Sequence, residues 1–367
     1  VMTSKNIDEY GRLTPMLAAI EALVKCESPS EDLDACRSVV ALASDIATRV
    51  LGTPAQIKEI EGRPVFWWGS ESPKVLVLAH LDTVWPIGSF SPLWSVEGDV
   101  VRGPGVFDMK AGFVQALYAL KGIEGDVALV ATTDEEIGSH KSKELIKQLS
   151  SSADAVLVLE ASLDGKVKTG RKGTSMYQIS VHGKASHAGL EPEKGINATT
   201  EMAHVILALG ALESAEHGTT VVPTMLKSGT TINTVPDHAV LEIDARSFSH
   251  DDLVRVDSAI KNLVATIPGA RIEVAGGLHR PPLQPSSTEA LYVIAEKVAA
   301  DLGMPPLGSA EVGGASDGNF AAAAGARVLD GLGAVGGGAH AAHEWVSLSS
   351  IEPRSAFLHA FIKELLV

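Results

Sequence analysis

KVLVLAHLDTVWPIGSFSPLWSVEGDVVRGPGVFDMKAG, residues 74–112, is the stretch from which the fold is read. It opens on an apolar, β-branched run, Val75 to Leu78, too short for a stable helix and typical of a strand buried on both faces. The run empties into His80, Leu81, Asp82 and Thr83, and a second acid, Asp108, stands just ahead of a helical pattern from Met109 to Leu120. A histidine beside an aspartate is common on protein surfaces and means little by itself. Here the arrangement recurs. Asp126 to Ala131 is another apolar run, followed by Thr132, Thr133, Asp134, Glu135 and Glu136, and Ala155 to Leu159 is a third, followed by Glu160. Three buried strands that each deliver a carboxylate or an imidazole at the C-terminal end match the placement of ligand sites in open α/β sheets.

Outward from this stretch, Leu13 to Val24 and Leu33 to Leu51 have helical periodicity, with Pro29-Ser30-Glu31 as a turn and helix start. A further helix is expected at about Lys141 to Leu149, so strands and helices alternate, the signature of a mostly parallel α/β sheet. Near Thr174 the texture changes. Tyr177, Ile179 and Val181 alternate with Gln178, Ser180 and His182, a half-exposed strand. A helix at about Asn197 to Leu212, strands at about Thr224 to Thr231 and Ala239 to Arg246, a helix at Asp251 to Ile267 and a short strand at Arg271 to Ala275 complete a β-α-β-β-α-β order. That order predicts an inserted α+β, ferredoxin-like domain at residues 174–278. Beyond Pro281-Pro282 the α/β texture returns, with a helix at about Thr288 to Leu302, a strand around Ala326 to Leu332 and a terminal helix. Residues 1–173 and 279–367 are therefore expected to form one discontinuous catalytic domain.

A chain of 367 residues exceeds the usual span of one hydrophobic core, which agrees with two domains. A net charge of −15 argues against nucleic acid and against anionic membrane surfaces. Cys26 and Cys36 form neither a CxxC pair nor a disulfide framework. The opening residues lack the charged and apolar segments of a leader, and no run reaches the length of a membrane span, so a cytoplasmic protein is expected. The glycine clusters have no nucleotide-binding pattern.

His80, Asp108, Glu136, Glu160 and a histidine near the C-terminus make five N/O donors without a thiolate. Such a set suits Zn²⁺, Mn²⁺ or Co²⁺ in a hydrolytic site, whereas a structural zinc site would be rich in cysteine. Any one acid could cap a helix or pair with a lysine. As a set at strand ends they would repel one another without a cation. Five ligands exceed one tetrahedral zinc, and two metals sharing a carboxylate accommodate them.

The ordered series AHLDTVW, RGPGVFDMKAG, TTDEEIGS, LEAS, GKASHAG, INTVPDHAVLEIDAR and GGASDG resembles the M20 family of metallopeptidases and aminoacylases, within it the glutamate carboxypeptidase branch. The resemblance implies two zinc ions, with His80 and Glu160 on one, Glu136 and the late histidine on the other, and Asp108 bridging. Asp82 would orient the His80 imidazole. Glu135 would be the general base that takes a proton from the metal-bound water and returns it to the leaving nitrogen. The family's closing motif has its histidine four residues before a glutamate; with Glu344 as that residue the ligand is His340 rather than His343. Ala111 stands where the family commonly has glycine.

The resemblance also places Arg246, Asn233 and His187 on the substrate's carboxylate and carbonyl, the histidine supplied by the partner of a homodimer formed through the inserted domain. Arg246 can grip a carboxylate bidentately, or it can pair with Asp244 or Asp251. Lys172 and Gly314 are expected to line the pocket, and His182 to sit on the polar face of its strand. The expected reaction is hydrolysis of the amide preceding a free α-carboxylate, releasing a C-terminal amino acid with glutamate preferred. Deacylation of N-acyl amino acids and dipeptide cleavage use the same bond; hydrolytic deamination or a non-catalytic binding role would be the departures.

Overall fold

A computed structural model describes residues 11–367; the expectation of a chain without a leader rests partly on residues 1–10, outside that range. The described residues divide into two compact units, one made of residues 11–170, Pro285–Glu311 and Ser316–Val367, the other of Arg171–Gln284 and Val312–Ala315.

In the first unit, helices α1 (Leu13–Lys25) and α2 (Leu33–Leu51) precede a hairpin of β1 (Gln56–Ile60) and β2 (Arg63–Gly69). The carboxylate of Asp32 caps α2 by accepting the N–H groups of Asp34 and Ala35, and Gly52 at φ 76° ends the helix. Next come β3 (Val75–His80), α3 (Ala111–Leu120), β4 (Val127–Thr132), α4 (Lys143–Ser152) and β5 (Ala155–Val158). The sheet order is β1-β2-β4-β3-β5 followed by the short strand Val328–Leu329. The strands from β4 onward are parallel, and β1–β2 add an antiparallel edge. Val75, Val77 and Ala79 face a core shared with α1, α2 and α3, while Leu76 and Leu78 on the other side of the same strand are equally buried. Both faces are therefore covered, which explains the unbroken apolar run. The apolar segment around Ala326 to Leu332 contributes only two residues of strand, paired with Val156 and Leu157.

In the second unit β6 (Gly173–His182), α5 (Ala198–Gly210), β7 (Thr220–Ser228), β8 (His238–Ser247), α6 (His250–Lys261) and β9 (Arg271–Arg280) build an antiparallel sheet of order β7-β8-β6-β9. Tyr177, Ile179, Val181, Leu241 and Ile243 pack on Met202, Val205, Val256 and Ile260 of the two helices, and the intervening residues stay open. Helix α6 stops at Lys261 rather than running to Ile267. The buried carboxylate of Glu201 on α5 accepts the N–H groups of Thr266 (2.9 Å) and Ile267 (2.6 Å), drawing that segment out of helical pairing.

The first unit resumes in α7 (Pro285–Asp301), α8 (Asp317–Ala323) and α9 (Leu348–Leu366). No helix among the described residues is long and apolar enough to cross a membrane.

Candidate metal centre

Parallel register brings the predicted ligands to one sheet edge. His80 ends β3 level with Thr132 at the end of β4, and Val158 at the end of β5 is level with Leu78. Glu135 and Glu136 follow β4 within four residues, and Glu160 follows β5 within two. His80 Nε2 lies 3.2 Å from Asp108 Oδ1 and 3.7 Å from Glu160 Oε1. His340 Nε2 lies 3.0 Å from Glu136 Oε2 and 3.4 Å from Asp108 Oδ2. The two oxygens of Asp108 thus face two different imidazoles. Donor atoms of His80, Asp108 and Glu136 lie within 4.8 Å of one another, as do those of His80, Glu135 and Glu160.

Electrostatics point the same way. Burial, reinforced by the charges of Asp108 and Glu135, pushes the Glu136 carboxyl up to about 8 against the pull of His340. Burial would also raise Asp108, but hydrogen bonds from His340 and His80 hold it well below the usual range. Those same contacts lift His340 to about 10, with Asp108 first and Glu136 second. Burial works against charge on His80, and Asp108 and Asp82 outweigh it. A crowded set of oxygen and imidazole donors, largely buried except for His340, has the chemistry of a divalent-cation site without thiolates. The residues fit two such ions.

Around this cluster the support is dense. His80 Nδ1 lies 3.0 Å from the Asp82 carbonyl, so a proton there leaves the Nε2 lone pair facing the acids. The Asp82 carboxylate accepts from Ser30 Oγ (2.7 Å) and from the N–H groups of Glu135 (3.4 Å) and Glu136 (3.2 Å). One buried aspartate therefore fixes both the imidazole and the loop carrying the next two acids. Lys110 is buried and donates to the carbonyls of Leu23 and Cys26 at the end of α1; burial lowers its ammonium to about 8. Cys26 and Cys36 are free thiols.

Glu344 is the support that sequence reasoning missed, having used it only to count back to His340. Its buried carboxylate accepts the N–H groups of Gly105 (3.0 Å), Phe107 (2.9 Å) and Asp108 (3.1 Å) and the indole N–H of Trp85 (3.0 Å). It holds the loop that presents Asp108. In Glu344→Ala these donors lose their acceptor in a buried site, and with a cost of roughly 1–3 kcal/mol for each unsatisfied group the expected loss is at least about 3 kcal/mol. Chemical denaturation, compared with the milder Glu344→Gln, measures it.

The late histidines separate cleanly. His340 joins the cluster at φ 61°, whereas His343 offers its backbone carbonyl to Arg102 (2.9 Å). His340→Ala is expected to lose about one metal per chain by elemental analysis and His343→Ala to keep its full complement; the reverse result exchanges the two.

The predicted substrate-side residues belong to the second unit. Arg246 forms a fork with Asp244, Nε to Oδ1 at 2.8 Å and Nη2 to Oδ2 at 2.9 Å, and gives Nη1 to the Gly313 carbonyl at 3.2 Å. The ion pair weighed against a substrate role is thus formed, with Nη1 outside the Asp244 fork. The exposed His187 accepts the N–H groups of Gly189 and Leu190 at Nδ1, leaving Nε2 as the ring's donor. The Asn233 backbone carbonyl accepts from Ala188 (2.9 Å). The Gly314 carbonyl accepts from Arg171 (3.0 Å), and the Lys172 ammonium lies 5.5 Å from the Phe248 ring centre. His182 pairs with Glu273 on the exposed side of its strand.

Residues 76–364 match the model of peptidase family M20/M25/M40. The chain is 32% identical to carboxypeptidase G2 of Pseudomonas sp. (strain RS-16) over 312 residues, 80% of this chain and 74% of that protein. Its fold is similar to that of a tripeptidase from Staphylococcus aureus, with TM-score 0.76 and 23% identity over 96% of this chain and 98% of that one. A dinuclear metal-binding peptidase of Bacillus subtilis superposes with TM-score 0.68 and 14% identity, covering 98% and 99% of the two chains.

Proposed function

This chain belongs to peptidase family M20/M25/M40 and is a hydrolase of that family, and on that premise we propose that it cleaves the amide bond preceding a free α-carboxylate and releases the C-terminal amino acid. Glutamate is the preferred product, supported by the likeness to carboxypeptidase G2. The observation that carries the reading is Asp108, whose two oxygens face His80 on one side and His340 on the other.

His80 and Glu160 would hold one ion, Glu136 and His340 the other, with Asp108 shared between them. Two zinc ions, or manganese or cobalt, supply electrophilic polarisation of the amide carbonyl and activation of water when bound. Glu135 takes the proton of the attacking water on its carboxylate and delivers it to the departing nitrogen, so one residue serves as base and then acid. Asp82 keeps the His80 imidazole in place and fixes the Glu135 backbone. Arg246 and Asn233 grip the carboxylate, with Gly314 and Lys172 beside them. In a homodimer formed through the inserted unit, His187 of the second copy donates Nε2–H to the scissile carbonyl oxygen.

Peptidyl and N-acyl forms of Glu, Gln, Leu and Arg, offered to zinc-loaded and chelator-treated protein, test this directly. Chelator-sensitive release that tracks the amino acid, with glutamate fastest, is expected. Turnover that tracks the acyl group instead makes the protein an aminoacylase, and no turnover with two metals bound contradicts the reading.

A further inference from the structure

We infer that the acyl side of the scissile amide is received by an open cavity of about 890 Å³ in the first unit, and that this cavity selects neutral apolar or cationic acyl groups over anionic ones. The inference rests on the amide-hydrolase reading and adds the class of acyl group to it. Glu136, whose Oε2 lies 3.0 Å from His340, lines the cavity, so the cavity begins at the proposed metal cluster.

Its walls are continuations of the ligand-bearing loops. Val84, Pro86 and Ile87 follow His80 and Asp82 in sequence, and Ile137 follows Glu136. The third wall is the segment before α2. It is tied to the same loop by Ser30 Oγ on Asp82 (2.7 Å), by the N–H of Ser30 on the Thr83 carbonyl (3.3 Å) and by the N–H of Thr83 on the Ser28 carbonyl (2.8 Å). That wall is therefore fixed relative to the ligands. Leu33, Val84 and Ile87 are 38%, 38% and 59% exposed, so the cavity presents open apolar side chains to a bound group. Its volume suits a group of drug-like size.

The charges give it a sign. Glu31, Asp32 and Asp34 face the cavity, and Arg37 is the one basic residue among the described residues lining it. That guanidinium is already engaged, Nη1 with Asp34 Oδ1 at 3.1 Å and Nε with Glu59 Oε1 at 3.7 Å. A succinyl group entering here meets three carboxylates against one guanidinium that is already engaged. An aryl or alkyl chain meets apolar walls, and an ammonium meets complementary charge.

The test uses three N-acyl glutamates of one design: 4-phenylbutanoyl, acetyl and succinyl. On the metal-loaded enzyme the phenylbutanoyl-to-acetyl ratio of kcat/KM is expected to exceed one and to fall about ten-fold in Ile87→Asp, the scale of a lost apolar contact. Asp34→Asn, which releases Arg37 Nη1 and removes one carboxylate from the lining, is expected to raise the succinyl-to-acetyl ratio several-fold, with the gain shrinking in high salt. Calorimetry on metal-loaded Glu135→Gln supplies a readout without turnover: phenylbutanoyl-glutamate binds, and Ile87→Asp weakens it. Hydrolysis of all three compounds with ratios unmoved by either variant overturns the cavity assignment and leaves the hydrolase reading standing. Absence of hydrolysis by the wild type overturns that reading, and the cavity assignment then stands or falls on whether Ile87→Asp weakens binding.

Discussion

Metal-loaded Glu135→Gln is expected to turn over its best substrate more slowly by a factor on the order of 10² to 10⁴, with two metals per chain and an unchanged melting temperature. The residue is 9% exposed and its backbone is held by Asp82, so an isosteric amide fits without moving its surroundings. What the amide cannot do is accept a proton from water. The same experiment separates two roles that the geometry leaves adjacent, since donor atoms of Glu135 lie with those of His80 and Glu160 inside 4.8 Å. A base lost costs kcat with metal retained. A ligand lost costs metal, and a Glu135→Gln protein short of one zinc by elemental analysis would move the base assignment elsewhere.

Asp108→Ala is the second large effect. Its two oxygens address His80 and His340 separately, so removing them takes a donor from both proposed ions at once. After dialysis against dilute zinc the variant is expected to hold less than one metal per chain, and hydrolysis is expected to fall below detection. His340→Ala, by contrast, keeps about one. Equal metal loss in the two variants would mean that the carboxylate is not shared. Because Glu344 holds the N–H of Asp108, a folding comparison against Glu344→Gln separates loss of the ligand from collapse of the loop.

Much of this arrangement was legible in the sequence because its cause is local. A buried parallel strand needs an unbroken apolar run, and such runs ending at His80, ahead of Glu135–Glu136 and ahead of Glu160 announce one edge of one sheet. The alternation from Tyr177 to Val181 likewise announced a sheet with one open face. Elements set by turn chemistry or by distant partners were not legible. The β1–β2 hairpin went unread: its turn residues Glu61 and Gly62 both take positive φ, 48° and 84°, and an Glu-Gly pair is a weaker signal for that turn than Asn-Gly. The helical pattern beginning at Met109 yields a helix only from Ala111, since Asp108 (φ −117°, ψ 88°) and Met109 (φ −138°, ψ 34°) leave the helical region where the ligand is presented. Glu344 could not be found from its neighbours, because the backbone groups it satisfies lie more than 230 residues earlier. The Arg246–Asp244 fork was one of two partners open to that arginine, and the two-residue spacing along β8 puts both side chains on one face.

Anomalous diffraction at the zinc edge from zinc-loaded crystals locates the proposed pair of metals beside Asp108. Two peaks are predicted, both within coordination distance of Asp108, one shared with His80 and Glu160 and the other with Glu136 and His340. A single peak at saturating zinc, or a second one away from Asp108, would mean that the aspartate does not join two metals.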